Sequence, residues 1–198
     1  MTEVFEPGFF YHVLNRGNNK ENIFIHEENY VYFLNLVKKH LLPICDIHSY
    51  CLLKNHFHVL LRIKDFEELP KKMQIDVHKL HQPFSNLFNA YAKGFNKAFG
   101  RTGSLFQEHP QKNRITDLSY LQHVIVYIHL NPLKHGFTEN YKDYKYSSFQ
   151  TILSNKPTKI KRDDVIEVFD DLENLLYCHY LRKIKIEGIL KEIEKLDD

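Results

Sequence analysis

Hydrophobic and polar positions recur along the first third of the chain with two different periods. Residues 9–14 form a short aromatic and β-branched run that stops at a polar Asn-Arg-Gly-Asn-Asn sequence, which predicts a strand running into a loop. Residues 27–40 place apolar side chains at i, i+3, i+4 and i+7, the spacing of an amphipathic helix. Residues 44–53 and 56–63 are two β-rich runs separated by Lys54-Asn55, which predicts a hairpin.

The middle of the chain continues this alternation. Six apolar residues fall on one side of a second predicted helix: Leu80, Phe84, Leu87, Phe88, Tyr91 and Phe95. Pro83 should lie in its first turn or mark its true start, and residues 100–103 should end it. Short strands are expected at residues 104–107 and 112–115. A third helix, capped by Thr116 or Asp117, should run through Leu130 and close at Asn131-Pro132, because the residue before proline disfavours the α region.

The resulting order, β-α-β-β-α-β-β-α, indicates the α+β class. It matches a ferredoxin-like split βαβ arrangement, with an antiparallel sheet and helices on one face. Residues 138–162 are polar and connective, and residues 163–196 predict one or two further amphipathic helices. We therefore expect one domain over residues 1–150 and a helical C-terminal extension over residues 151–198.

Composition narrows the class of protein. The 198 residues are 43% hydrophobic and 26% charged, and no apolar run approaches the roughly 20 residues needed to span a bilayer. The first ten residues lack the basic and apolar regions of a signal peptide, so a cytoplasmic protein is expected, associated with the nucleoid if its ligand is DNA. Three cysteines without a C-x-x-C pair favour neither a disulfide framework nor a cysteine zinc site.

Charge and aromatic content leave a nucleic-acid ligand open. The net charge is only +2, but basic residues cluster at 71–72, 93–101, 112–114 and 156–162. Such clusters can follow a phosphate backbone or simply be solvated faces. Thirteen histidines and 14% aromatic residues are compatible with metal binding or base stacking.

His56 and His58 lie two residues apart in a β-rich run, so both imidazoles project from one face of the sheet. Phe57, with Val59 and Leu61, points to the opposite face and into the core. Two neutral imidazoles on an open face can chelate one cation, although an H-x-H pattern also arises by chance in a histidine-rich chain.

Tyr127 and Asn131 lie four residues apart, one turn apart on the same face of the third predicted helix. Beside a divalent cation, a tyrosine hydroxyl can attack a phosphate, and an asparagine amide oxygen can supply a further metal ligand. The alternative is that Tyr127 only packs an apolar helix.

Three segments in register favour the catalytic interpretation: residues 11–19, residues 50–61 with His56-Phe57-His58, and residues 127–137 with Tyr127 and Asn131-Pro132. Together they resemble the HUH single-tyrosine transposases, in the branch of the REP-associated tyrosine transposases. Weaker matches at residues 96–107 and 146–149 extend the resemblance from about residue 9 to 150. It departs from the usual pattern at Lys134, where arginine is common, and at His135, where a small residue is common.

The resemblance implies a DNA transposase whose catalytic domain is residues 1–150. His56 and His58 match the metal-binding pair, Tyr127 the catalytic tyrosine, and Asn131 the place of a polar third ligand. The expected cofactor is Mg²⁺ or Mn²⁺, and the expected partner is single-stranded or hairpin DNA, bound by a monomer or a homodimer. Seven residues are candidates for contacting that DNA: Asn15, Arg16, Asn18, Asn19, Lys20, Lys112 and Arg114.

The implied reaction is cleavage and joining of single-stranded DNA through a metal-assisted 5′-phosphotyrosine intermediate. Two alternatives stay open. One is a catalytically silent ferredoxin-like nucleic-acid-binding protein. The other is a metal-dependent hydrolase in which water, and not Tyr127, attacks the phosphate.

Overall fold

The protein is described here by a computed structural model covering residues 4–194, with side chains described through residue 188. Four strands form one antiparallel sheet: β1 (Phe10–Arg16), β2 (Cys45–Leu53), β3 (His56–Ile63) and β4 (Gln111–Arg114). Their order across the sheet is β2-β3-β1-β4. Since β3 is antiparallel to both β1 and β2, β1 and β2 run parallel with β3 between them. This is the split βαβ arrangement, and the α+β ferredoxin-like prediction is confirmed.

Within residues 4–194, seven α-helices connect and follow the strands. They are α1 (Glu27–His40), α2 (Lys71–Ile75), α3 (Gln82–Ala98), α4 (Leu118–Lys134), α5 (Phe149–Leu153), α6 (Arg162–Glu167) and α7 (Leu172–Glu194). The predicted bounds of α1 agree with the structure, and Pro83 lies in the first turn of α3 as expected. No helix within residues 4–194 is both long and apolar enough to cross a membrane.

Helices cover both faces of the sheet, whereas the sequence led us to expect them on one face. Side chains alternate along each strand, so Phe57 and Val59 pack with α1 and α3, while Leu60 packs with α4 and α5–α7. The second face is covered because α4 carries apolar residues on several sides. Nine of the ten positions 124–133, near its C-terminal end, are buried. A helix that is apolar nearly all round needs partners on more than one side.

The sequence predicted that α4 closes at Asn131-Pro132, and this prediction is wrong. The helix continues to Lys134 with Pro132 inside it. Pro132 has no backbone N–H, so α4 lacks the one hydrogen bond that residue 132 would donate. The backbone beyond it is satisfied: His135 N donates to Asn131 O at 3.0 Å, and Phe137 N donates to Pro132 O at 2.8 Å. Asn131 and Pro132 are both buried against the rest of the molecule.

Two strands were predicted within residues 104–115, and the structure has one there, β4. Phe106 makes only an isolated bridge with Gly17, and the regular pairing with β1 is confined to β4. Gly17 turns so tightly after β1 that a Cβ atom there would lie 2.2 Å from the carbonyl oxygen of Glu21. Glycine is therefore required at this close approach of two backbone segments.

The C-terminal segment shares a hydrophobic core with α4, through Phe149, Ile152, Val165, Phe169 and Leu175. α6 and α7 account for the predicted amphipathic helices, except that residues 195–196 lie outside the described part of the chain. A buried polar contact adds to this packing, since the Nδ1 of His129 on α4 and the Nε2 of His179 on α7 are 2.9 Å apart.

Candidate active site

His56 and His58 lie on the face of the sheet that α4 covers. In the antiparallel register they stand beside β1, with His56 opposite Arg16 and His58 opposite Leu14. Each histidine is only 4% exposed. The expectation of an open sheet face is therefore wrong at this point, because α4 lies across it.

Tyr127 approaches this histidine pair from α4. Its ring centroid lies 5.6 Å from that of His58 and 6.1 Å from that of His12, which is on β1. The ammonium group of Lys134 lies 5.0 Å from the centre of the tyrosine ring. Tyr127 is half-buried, so its side chain lies at the boundary between the histidine pair and solvent. Tyr127 and the histidine pair are therefore close enough to form one site.

Asn131 lies one turn after Tyr127 and is fully buried. Its Nδ2 donates a hydrogen bond of 2.8 Å to the carbonyl oxygen of Tyr127. Its Oδ1 has no hydrogen-bond partner within the described residues, and the same is true of the Nε2 of His58. Buried polar atoms without partners are uncommon and costly.

These two atoms, an amide oxygen and an imidazole nitrogen, are of the types that divalent cations accept as ligands. Among the described residues, no group of three or more His, Cys, Asp or Glu side chains is arranged to hold a metal ion. The set predicted from the sequence is of a different composition, two histidines and one asparagine, and the two orphaned atoms fit it.

Burial keeps the histidines of this site neutral. Burial, with the nearby charges of His135 and Arg16 acting in the same direction, lowers the pKa of His56 to about 4. Burial also holds the pKa of His58 well below its ordinary value. Neutral imidazole is the form that binds metal ions, so both side chains are ready ligands at neutral pH.

Four of the candidate DNA-binding residues flank this site at the end of β1. Arg16 is exposed and lies opposite His56 in the sheet. Asn19 and Lys20 are exposed in the loop that follows, both with left-handed backbone angles (φ +52° and +61°). Asn18 is half-buried, and its Nδ2 donates to Ser104 O at 3.1 Å. Gly17 and Ile23, at the two ends of this loop, donate to the carbonyl oxygens of Asn55 and Lys54, so the loop lies against the turn that precedes His56.

Asn15, by contrast, is buried on the other face of the sheet, opposite Phe57. Its Oδ1 accepts from Arg16 N at 2.8 Å, and its Nδ2 lies 3.4 Å from Gln107 O. These contacts tie the end of β1 to the segment that precedes β4.

Lys112 and Arg114 are also separated from the histidine pair. In the β1–β4 register they stand opposite Val13 and Tyr11, which face α1 and α3. The ammonium of Lys112 lies 4.6 Å from the centre of the Phe5 ring. Arg114 pairs with Glu6 at 3.0 Å and stacks on Phe9 at 3.5 Å. A strand bound at the histidines would reach them only by passing round the edge of the sheet.

The chain is similar to known proteins in sequence and in structure. No family model matches the chain. A Haemophilus influenzae protein named for the REP-associated tyrosine transposases is 30% identical over 101 residues, which are 50% of this chain and 56% of that protein. The chain thus spans about half the length of this curated relative.

A solved structure of a REP-associated tyrosine transposase bound to a REP hairpin has the same fold. It superposes with a TM-score of 0.56 at 17% sequence identity, covering 79% of this chain and 87% of that chain. The chain resembles the REP-associated tyrosine transposases in sequence and in fold. The resemblance expected from the three sequence segments is therefore confirmed.

The structure adds residues to the site that the sequence did not single out. His12 Nε2 lies 3.0 Å from His58 Nδ1, and Asn55 Oδ1 lies 2.7 Å from His56 Nδ1. The ring of His135 lies 5.0 Å from that of His56. A helical signal could have found His135, which is four residues beyond Asn131. No local signal identifies His12, because it meets His58 only through the pairing of β1 with β3.

Proposed function

We propose that this protein is a single-stranded DNA endonuclease and strand transferase, a transposase that acts through a tyrosine nucleophile. The observation that carries the proposal is the proximity of Tyr127, on α4, to the histidine pair on β3. The ring centroids of Tyr127 and His58 are 5.6 Å apart. Tyrosine, histidine and asparagine come together there from β3 and α4 in the order that the transposase resemblance requires.

A divalent cation, Mg²⁺ or Mn²⁺, would be held by His56, His58 and Asn131. The orphaned Nε2 of His58 and Oδ1 of Asn131 support this assignment. When bound, such a cation polarises a phosphoryl oxygen and offsets the negative charge that develops on the phosphate.

Tyr127 forms the new bond. Its phenolic oxygen attacks the scissile phosphorus and loses its proton, the bond from phosphorus to the 3′ oxygen breaks, and that oxygen gains a proton. The products are a 5′-phosphotyrosine and a free 3′-hydroxyl. Because the ester bond energy is retained, another 3′-hydroxyl can reverse the step and join two strands.

The remaining polar residues of the site orient the substrate. Lys134, whose ammonium lies over the Tyr127 ring, and Arg16, opposite His56, supply positive charge for a phosphate beside the nucleophile. The similar transposase structure contains a REP hairpin, and we propose hairpin or single-stranded DNA as the substrate here. Such a substrate implies action in the cytoplasm, on nucleoid DNA.

The proposal is tested by incubating the protein with labelled single-stranded hairpin DNA and Mn²⁺, followed by a denaturing gel. Wild type should give a protein–DNA adduct, and Tyr127→Phe should give none. Tyr120→Phe is the matched control, since Tyr120 is an exposed tyrosine on the same helix, and it should form the adduct as wild type does.

Two results would contradict the proposal. Cleavage without an adduct would favour the metal-dependent hydrolase in which water attacks. DNA binding with neither cleavage nor adduct would favour the catalytically silent binding protein.

A further inference from the structure

Each of the two candidate histidine ligands has its Nδ1 atom engaged by a neighbouring side chain. His56 Nδ1 lies 2.7 Å from Asn55 Oδ1, and His58 Nδ1 lies 3.0 Å from His12 Nε2. In both cases the contact is made at Nδ1 and leaves Nε2 as the nitrogen available for another ligand. The following argument rests on the proposed metal-binding role of His56 and His58.

The contact of His56 has one direction. The amide oxygen of Asn55 can only accept a hydrogen bond, so the proton must be on Nδ1 of His56. A neutral imidazole carries a single N–H, and Nε2 of His56 therefore holds a lone pair. Asn55 is itself fixed in the turn between β2 and β3, where its main-chain carbonyl oxygen accepts a hydrogen bond of 2.9 Å from Gly17 N.

The contact of His58 could in principle run either way, because each imidazole nitrogen can donate or accept. Its Nε2, however, is buried without a partner among the described residues. A buried N–H without an acceptor is rarer than a buried acceptor without a donor. The favoured arrangement therefore has Nδ1 of His58 donating to Nε2 of His12, with the lone pair again on Nε2.

We propose that Asn55 and His12 are positioning residues that select the Nδ1-protonated tautomer of His56 and His58. This selection leaves the Nε2 lone pair of each histidine ready to bind the divalent cation. His12 is suited to this role because it is buried in the central strand β1 on the same face as His58. A side chain that hydrogen-bonds the second ring nitrogen of a metal-binding histidine usually orients the imidazole and makes it a stronger ligand.

The test has two readouts on the full chain: the affinity for Mn²⁺ measured by calorimetry without DNA, and the ¹⁵N chemical shifts of the imidazoles in the metal-free protein. Wild type should show protonated Nδ1 and unprotonated Nε2 in His56 and His58. Asn55→Ala and His12→Leu should each weaken Mn²⁺ binding by about 10- to 100-fold. In each variant, the tautomer preference of the histidine beside the substitution should be lost.

Two further variants distinguish a positioning role from a general loss of structure. Asn55→Asp keeps an acceptor at the same place and should bind Mn²⁺ at least as tightly as wild type. Asn113→Ala removes an exposed asparagine opposite His12 on β4 and should change neither readout. If His12→Leu does not fold, the Asn55 variants, which change a turn, still decide the question.

Wild-type histidines protonated at Nε2 would overturn the proposal, and so would an Asn55→Ala variant that binds Mn²⁺ as wild type does. The proposed function fails in a different way. If the tautomers and affinities follow this account but no Tyr127-dependent DNA adduct forms, the strand-transfer activity is wrong and the positioning role stands.

Discussion

At the scale of single residues, the candidate site contains buried polar atoms that its own neighbours do not satisfy. Oδ1 of Asn131 and Nε2 of His58 have no hydrogen-bond partner in the described part of the chain. Leaving such an atom buried costs about 1–3 kcal/mol of folding free energy. An atom left unsatisfied at this cost is expected where its function is to bind a ligand and not to stabilise the fold.

Asn131→Leu tests that interpretation. The substitution removes the unsatisfied oxygen but also the 2.8 Å hydrogen bond from Nδ2 to Tyr127 O. These effects oppose each other, so the free energy of unfolding in EDTA should change by no more than about 1 kcal/mol. Mn²⁺ binding should weaken at least tenfold. Urea unfolding and calorimetry measure the two quantities, and unchanged Mn²⁺ affinity would remove Asn131 from the metal set.

Residue-scale prediction from sequence succeeded where a local period was sufficient. The alternation of a strand places His56 and His58 on one face, and a helical turn places Tyr127 beside Asn131. That face was expected to be open, and it is covered by α4. His12 was missed for a related reason, because strand order and register decide its contact with His58.

At the scale of elements, α7 is joined to the rest of the molecule through buried histidines. His129 on α4 contacts His179 on α7 at 2.9 Å, and its other ring nitrogen lies 3.0 Å from Ser49 Oγ and 2.9 Å from Ser148 Oγ. His179 Nδ1 is 2.7 Å from Leu175 O. This network links α4, α7, β2 and the start of α5 without any ionised group.

This network makes stability depend on pH. Burial lowers the pKa of His179 to about 4 from an ordinary value of 6.5, so the folded state keeps the ring neutral while the unfolded chain binds a proton. Its contribution to stability is complete above pH 6.5. As the pH falls from 6.5 to 4, the free energy of unfolding should decrease by about 1.4 kcal/mol per pH unit for each such histidine.

The variant His179→Gln measures the contribution of this one side chain. Its urea-unfolding free energy, determined at several pH values, should fall less steeply than that of wild type over the same interval, by up to about 1.4 kcal/mol per pH unit. Equal slopes in the two proteins would show that His179 titrates in the folded state as it does in the unfolded chain.

The element boundaries show how far local sequence rules extend. The bounds of α1 and β3 follow from their periods, and the structure agrees with both. The end of α4 did not follow, because burial of Asn131 and Pro132 outweighs the local preference against helix before proline. The strand predicted at residues 104–107 is absent because that segment makes only one bridge, to Gly17.

At the scale of the whole molecule, the candidate DNA-binding residues fall into two groups on opposite faces of the sheet. Arg16 lies beside the histidine pair, whereas Arg114 is paired with Glu6 and stacked on Phe9 on the face toward α1 and α3. With a net charge of only +2, DNA affinity should depend on a few local contacts more than on the overall charge.

Arg16→Ala and Arg114→Ala form a matched pair that tests this placement. Binding of a labelled DNA hairpin is measured by fluorescence anisotropy over a range of salt concentrations. Arg16→Ala should reduce the slope of log K against log salt by about one, the loss of one phosphate contact. Arg114→Ala should leave the slope unchanged. An equal reduction in both variants would indicate a DNA path that passes round the edge strand β4.

The central claim, that Tyr127 is the nucleophile, is tested most directly by locating the covalent bond. The DNA adduct is digested with nuclease and trypsin, and the modified peptide is sequenced by mass spectrometry. The tryptic peptide of residues 115–134 contains both Tyr120 and Tyr127. Fragmentation of this peptide in the mass spectrometer must therefore assign the attached nucleotide to one of the two tyrosines. We expect it on Tyr127. A nucleotide on Tyr120 or on any other residue, or cleaved DNA with no modified peptide, would contradict the account.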